Sequence, residues 1–360
     1  MQITVETTKL QDLTSKAIKG SGRMPILAIT MFIGIEVKDG DLILTTTDKI
    51  NTLKVVGKGI AKECENFYTC VDSDLFNKLV SKTTSGSITL EVTDNSLTFK
   101  GNGVYSLPIA VDEKNSVVRI PEISFNADIE GIEVETSKLK DILVFNKASV
   151  ARTMEAPYLT GYYVDEDSII SFNLVTACVN ANGFVKGKAL LSANLVELFN
   201  IITIEKAIIK FDDRKILVEA GDVIINGTLM ENIEQYPAQP LKELVAAEFT
   251  SKCTINKTEF LNALDRLNLF ISEDDKNALR LTFAQDSITI SSKKSNGNEM
   301  LKYVASSNVA PFTQLVDLVD LRNQLQTQSA DTVKLLFGND KGLMLKTDKV
   351  SQLIPFMDEE

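Results

Sequence analysis

Apolar and polar positions alternate in short bursts along this chain, and the bursts recur. Over Met31–Gly57, FIGIEV and LILTTT flank the turn KDGD, and NTLKVV carries the chain back, a pattern that predicts three antiparallel strands. Asp39-Gly40 supplies the positive φ that so tight a hairpin requires. A related pattern returns at Tyr158–Lys186 with VDEDS as its turn, and again at Ala278–Ala305 with AQDS. Between these stretches the spacing switches from two to 3.6 residues. Helices are predicted ahead of each hairpin, at Thr8–Lys19, Ser137–Val150 and Lys257–Phe270, and after each, at Asp72–Lys82, Ser192–Ile202 and Asp317–Gln326. A repeat of roughly 120 residues follows, each copy reading helix–sheet–helix–sheet. The expected class is α+β, in three tandem domains at 1–120, 121–245 and 246–360.

Within the first helix Leu10, Leu13 and Ala17 share one face, while Lys9, Asp12, Lys16 and Lys19 fall in an adjacent arc of about 80°. Thr8-x-x-Gln11 reads as its capping box, Asp72 caps the second helix, and Asn256-x-x-Glu259 opens the fifth in the same manner. In the middle copy Leu139, Ile142, Leu143 and Val150 form the buried face, with Lys140 and Lys147 opposite. Arg23 and Arg152 follow their helices in comparable loops. Asp112–Ser124 reads as a polar linker. Asn232–Phe249, which holds Pro237 and Pro240, reads as an extended connector, and Asp358-Glu359-Glu360 as a solvated acidic tip.

Composition narrows the chemistry. Histidine is absent, which removes catalytic triads, imidazole acid–base work and His-containing zinc sites. GKGIAK at Gly57–Lys62 and GNGV at Gly101–Val104 lack the spacings of a phosphate loop and a dinucleotide fingerprint. The carboxylates read as solvated surface, so no enzyme, metal or cofactor is expected. Cys64, Cys70, Cys178 and Cys253 show no CxxC spacing and read as reduced thiols. No apolar run is long enough to span a bilayer, and MQITVETTKL does not read as an export signal, so a cytoplasmic protein is expected. The net charge is −11, and an acidic protein binds nucleic acid only where its basic residues are gathered on one surface. Residues 1–120 are balanced, whereas 121–245 carry a net −8 and 246–360 a net −3.

Several fragments, in order and spacing along the whole chain, resemble the bacterial sliding clamp, the β subunit of DNA polymerase III. They are ITVE at Ile3–Glu6, RMPIL at Arg23–Leu27, LTTTD at Leu44–Asp48, YLTG at Tyr158–Gly161, Tyr236-Pro237 and QLIPFM at Gln352–Met357. The resemblance implies three copies of the DNA-clamp domain, closed as a head-to-tail homodimer ring around duplex DNA, with helices lining the hole. An acidic protein could then embrace DNA through inward-facing cations that touch phosphates without reading bases. Lys16, Lys19, Arg23, Lys78, Lys82, Lys140, Lys147 and Arg152 are the implied channel wall, although each lysine alone reads as a solvated helix face.

The resemblance also implies a subunit interface, with Tyr105 and Leu107 on an edge strand at one end and Phe270 and Ile271 at the other. It implies a cleft for partner peptides, walled by Leu159, Leu174, Val175, Thr176, Pro237 and Leu241. The apolar run Leu353, Ile354, Pro355 and Phe356 completes that cleft, where DNA polymerase, the clamp loader and other clamp-binding proteins would compete. Two departures fall on this site: FNLVTACV at Phe172–Val179 replaces the usual Thr-Asp-to-Arg-Leu run, and Pro237-Ala-Gln-Pro-Leu-Lys lacks the usual basic stretch. The competing reading is a clamp-like scaffold that binds proteins without encircling DNA.

Overall fold

In the computed structural model the 3.6-residue spacing becomes α-helices α1 (Thr7–Ala17), α2 (Ser73–Lys82), α3 (Thr136–Asp141), α4 (Ala193–Leu198), α5 (Ala238–Ala246), α6 (Lys257–Leu267) and α7 (Leu318–Thr327). The structure describes all residues except 62–63, 123, 127, 154, 272–275, 295, 306–308 and 359–360, so Glu359 and Glu360 of the acidic tip lie outside the described residues. Short 3₁₀ turns lengthen α1, α4 and α6 at their C-termini. Three caps form as their residue types dictate. Asp72 accepts from the Leu75 amide at 2.7 Å, Asn256 from that of Glu259 at 2.9 Å and Asp317 from that of Asp320 at 2.9 Å.

The expected capping box at Thr8 does not form. Strand Gln2–Glu6 runs straight into α1, so the helix begins at Thr7 and Thr8 is already inside it. The Thr8 hydroxyl donates to the Glu6 carboxylate at 2.6 Å. The Gln11 amide instead donates to the Val80 and Thr83 carbonyls, 3.0 Å each, tying α1 to the end of α2. The predicted helix over Ser137–Val150 is also interrupted. α3 gives way to a π turn at Ile142–Asn146 and a 3₁₀ turn at Lys147–Ser149. Each π turn holds an extra residue, and here Asn146 is buried with Leu139 and Ile142, while Leu143 and Val150 are only half-buried.

The connector over Asn232–Phe249 is not extended. A 3₁₀ turn at Ile233–Gln235 leads into α5, and Pro240 occupies its first turn, where a missing N–H breaks no helical bond.

Contacts divide the chain into two compact units: residues 1–137 with 194–229, and residues 138–193 with 230–360. In the first, strands Gln2–Glu6, Ser87–Val92, Ser96–Lys100 and Val104–Pro108 form a four-stranded antiparallel sheet in that order. Its second sheet has eight strands, in the order Phe67–Asp72, Phe32–Lys38, Asp41–Thr47, Asn51–Gly57, Val223–Thr228, Lys215–Ala220, Lys206–Phe211, Ile132–Glu135. The Asp39-Gly40 turn has φ of 51° and 87°, as the hairpin requires.

The second unit repeats the plan. A nine-stranded sheet runs Lys188–Ser192, Gly161–Asp165, Ile169–Phe172, Ala177–Asn180, Val350–Ile354, Leu343–Lys346, Thr332–Phe337, Ser251–Asn256, Val304–Ala305. A four-stranded sheet of Asn298–Lys302, Ser287–Ser292, Ala278–Phe283 and Phe312–Asp317 completes it. Each large sheet joins strands of adjacent sequence repeats, so the threefold repeat and the twofold contact division are different partitions of one chain.

Candidate functional site

The cations of the first repeat sit on α1, α2 and the loop between α1 and the first hairpin. Lys19 and Lys82 are exposed and, among the described residues, have no hydrogen-bond or ion-pair partner. Lys16 is different: its ammonium lies between Asp12 at 2.8 Å and Asp222 at 2.7 Å. Burial opposes its charge, but the two carboxylates outweigh that and raise its pKa. Lys78 pairs with Asp74 one turn earlier, and that pairing, helped by Arg23, holds the Asp74 carboxyl below its ordinary range. Arg23 is exposed in a left-handed conformation, φ 50°. Buried Thr30 knits its loop: the Arg23 amide donates to the Thr30 carbonyl at 3.1 Å and the Met24 amide to its hydroxyl at 3.0 Å. A cavity of about 480 Å³ opens beside Lys19 and Met24, bounded by Asp48, Asn194 and Glu197.

In the middle repeat Lys140 is half-buried, while Lys147 and Arg152 are exposed. On the helices of the third repeat the cations are engaged. Arg266 is held by Glu299 at 2.6 Å, Arg322 by Asp265 at 2.6 Å, and the Lys257 ammonium donates to the Gln328 carbonyl at 2.6 Å.

Of the residues expected at a subunit interface, Tyr105 is exposed on the edge strand Val104–Pro108, whereas Leu107 faces the core opposite Leu97. Phe270 is exposed and its ring lies against Gly297, at the head of the edge strand Asn298–Lys302, whereas Ile271 is half-buried against the third-repeat core. The pattern reading missed Val104, Leu269 and Met300, all strongly exposed; Leu269 is 80% accessible. The signal was available in Asn268-Leu269-Phe270, where two consecutive apolar residues close a helix whose buried face cannot take both. Ile26, 97% accessible at the tip of the Arg23 loop, was missed as well.

The residues expected to wall the cleft all lie in the second unit but do not form one open groove. Leu159, Leu241 and Leu353 meet in a single cluster and are 1%, 4% and 3% accessible. Ile354 and Phe356 belong to the neighbouring third-repeat core, where the Phe356 ring lies 5.4 Å from that of Phe312. Pro355 and Pro237 are half-buried. Leu174 and Val175 stand out at 59% and 50% accessible, on a turn where the Asn173 side chain accepts from the Val175 and Thr176 amides at 3.0 and 2.7 Å. Thr176 turns inward, 3.0 Å from Ser149, and both hydroxyls accept from the Gln324 amide.

α5 is what fills the cleft. Its face Ala238, Leu241 and Val245 packs in the cluster with Leu159, Ala177 and Leu353. Tyr236, just before it, stacks on Tyr163 with 5.4 Å between centroids and donates to the Ile170 carbonyl at 3.1 Å. Lys242 on its outer side pairs with Asp165 at 2.6 Å. Burial alone would raise the Asp165 carboxyl, but Lys242 and the Ser168 and Asp167 amides outweigh it and hold that pKa below its ordinary value.

No family model matches the chain. Along nearly its whole length it is nevertheless similar to named proteins. It is 23% identical over 373 residues to the beta sliding clamp of Staphylococcus aureus strain Mu50, covering 96% of this chain and 95% of the relative. The similarity is to β sliding clamps, and it runs along nearly the whole chain. A second clamp, from Staphylococcus epidermidis, is 22% identical over 367 residues, covering 95% of this chain and 94% of the relative. The clamp fold itself is shared with solved structures. The β subunit of DNA polymerase III from Thermotoga maritima superposes with a TM-score of 0.86 at 15% identity, covering 100% of both chains. The β subunit from Streptococcus pyogenes gives 0.86 at 18%, over 99% of this chain and 100% of that one. The sliding clamp of Bacillus subtilis gives 0.85 at 17% over 100% of both. Within the described residues, no helix is long and apolar enough to cross a membrane.

Proposed function

We propose that this chain is a DNA sliding clamp, a non-catalytic processivity factor that encircles duplex DNA and tethers a DNA polymerase. The observation that carries the reading is the match to beta sliding clamps along 96% of the chain. The exposed cations Lys19, Arg23, Lys82, Lys147 and Arg152, with half-buried Lys140, suit contacts to phosphate that are blind to sequence. Lys16 and Lys78 join them as secondary positions, because nearby carboxylates already neutralise them. The three repeats are domains at 1–120, 121–245 and 246–360. Two copies join head to tail, the edge around Val104 and Tyr105 of one meeting Leu269, Phe270 and Met300 of the other, a heterologous contact that closes on itself. A clamp loader and other clamp-binding proteins share the cleft of the second unit with the polymerase, and the complex works in the cytoplasm.

A second reading, a scaffold that no longer encircles DNA, is favoured by one observation: the cations of α6 and α7 are occupied by internal partners. One experiment separates the two. Loaded on nicked circular plasmid, a clamp stays bound through a high-salt wash and is lost when the plasmid is linearised. A scaffold is retained on neither. Light scattering of Phe270→Asp checks the ring: the variant should run as a monomer.

A further inference from the structure

We propose that α5 is a strap over the partner cleft, closed in this structure and lifted when a partner binds. The proposal rests on the reading of that cleft as the partner site and adds how access to it is regulated.

The first ground is occupancy. Leu159 and Leu353, two residues that a partner would have to touch, are buried against Leu241, which belongs to α5 itself. A segment entering the cleft must therefore take the place of Leu241 and Val245. The second ground is how lightly α5 is held. A helix of nine residues is not stable alone, so it forms because its apolar face is docked. Its N-cap is Pro237, with no side-chain hydrogen bond to the first turn. Beyond the apolar face and Tyr236, its one side-chain tie to the sheet among the described residues is the Lys242–Asp165 pair. That pair sits at the rim of a cavity of about 230 Å³ also lined by Tyr163, Lys188, Glu234 and Gln239, so solvent reaches it. Short elements with few ties open at lower free energy than the sheet beneath them.

The third ground is what opening uncovers. Leu353 pairs with Ala177 across the sheet, and Ala177 follows the exposed Leu174–Val175 turn by two residues. With α5 lifted, Leu174, Val175, Ala177, Leu353 and Leu159 offer an apolar strip to an extended segment bearing leucine or aromatic anchors. The exposed turn is accessible in the closed state and serves as the first foothold. Because the competent state is a minor one, part of the partner's binding free energy is spent on opening, and anything that loosens α5 tightens binding.

The test uses the full-length protein, hydrogen exchange, and a fluorescent nine-residue peptide with one leucine and one phenylalanine as the probe. In Lys242→Gln, the amides of Leu241–Val245 should exchange about fivefold faster while those of strand Thr332–Phe337 are unchanged, and the peptide should bind about threefold tighter. Lys242→Arg, which keeps the ion pair, should match the parent in both. Equal peptide affinity for parent and Lys242→Gln, with α5 exchanging together with the sheet, overturns the strap and leaves the cleft standing. Absence of peptide binding to parent, Lys242→Gln and Leu353→Asp alike overturns the cleft and the strap together.

Discussion

The two compact units solve one problem with different residues. In each, a strand of one repeat is joined edge to edge with a strand of the next, Asn51–Gly57 with Val223–Thr228 in the first and Ala177–Asn180 with Val350–Ile354 in the second. In the first unit the alternate positions on one face are apolar: Leu53 faces Ile225 and Val55 faces Val223, all buried. Leu195 of α4 closes on Gly227, the helix leads into fully buried Phe199, and Gly20 lets the end of α1 approach so closely that an added Cβ would meet Leu53 and the Thr46 hydroxyl at 2.6 Å. In the second unit the corresponding pairs are Cys178 with Gln352 and Asn180 with Val350. Gln324 stands on α7 where Phe199 follows α4, counted from each helix start. The Gln352 amide donates to the Phe145 carbonyl at 3.1 Å and to Thr327 at 2.8 Å, and its oxygen accepts from Gln328.

The lesson is that strand pairing fixes the architecture, while the seam beneath it can be built from dispersion or from directed hydrogen bonds. The two are not equal in cost. An apolar seam tolerates small shifts, whereas a polar seam must satisfy every atom. Among the described residues, Asn180 has no partner for either amide atom, and Asn146 and Gln324 each leave an oxygen unpaired; the first seam has the same defect at its end, where Asn51 and Asn226 each leave an oxygen unpaired. Charge on the helices differs too: among the described residues Lys19 and Lys82 of the first repeat are unpaired, whereas Arg266 and Arg322 of the third are tied to carboxylates.

The largest effect should come from making the first seam resemble the second. Phe199→Gln removes a fully buried ring and strands an amide, and should cost about 3–5 kcal/mol in urea unfolding. A loss below 1 kcal/mol, about the worth of one hydrogen bond, would show that the seams are interchangeable. The reverse exchange, Asn180→Val, copies Val55 into the second unit and should stabilise the chain by about 1–3 kcal/mol. A drop in melting temperature would mean that the polar seam is needed as it stands.

Charge gives the third break in the comparison. Lys19→Glu with Lys82→Glu should lower the salt slope of DNA binding by about 0.9 for each lost phosphate contact, while Arg266→Gln leaves the slope unchanged. Equal effects would erase the distinction between repeats. The smallest effect concerns pH. Asp165 has its pKa lowered in the folded state, so the stability it supplies is present above the ordinary aspartate value of about 3.9 and is lost as pH falls through the folded value. The melting temperature of the parent should therefore fall more steeply than that of Lys242→Gln on acidification below that range.

Most of the scaffold was legible in the sequence because its signals are local. The hairpin turn at Asp39-Gly40, the Asp72 and Asn256 caps and the edge position of Tyr105 each depend on a few neighbouring residues. α5 was misread because two prolines outweighed the spacing of Leu241, Leu244 and Val245, which is helical. The seam of the second unit could not be read at all. Asn180, Gln324 and Gln352 are polar types that ordinarily face water, and only long-range pairing buries them. Leu159, Leu241 and Leu353, expected together from the resemblance, do meet in one cluster, but the docking of α5 that buries them is a tertiary fact.

One small feature reaches further than its size. The turns Thr47–Thr52 and Phe172–Ala177 share a frame: Asp48 and Asn173 each accept from the amides two and three residues on, and Lys49 and Leu174 each take a positive φ, 83° and 74°. The frame is carried by the acceptor side chain and the backbone, with the Thr47 hydroxyl adding to it in the first copy, and no side chain of the two tip residues takes part in it. One copy displays Lys49-Ile50, the other Leu174-Val175. A duplicated turn of this kind is a socket whose contents can drift between lineages, or be exchanged by a designer, while the sheet behind it stays the same. Swapping Leu174-Val175 for another pair would then change what this surface displays without disturbing the sheet that carries it.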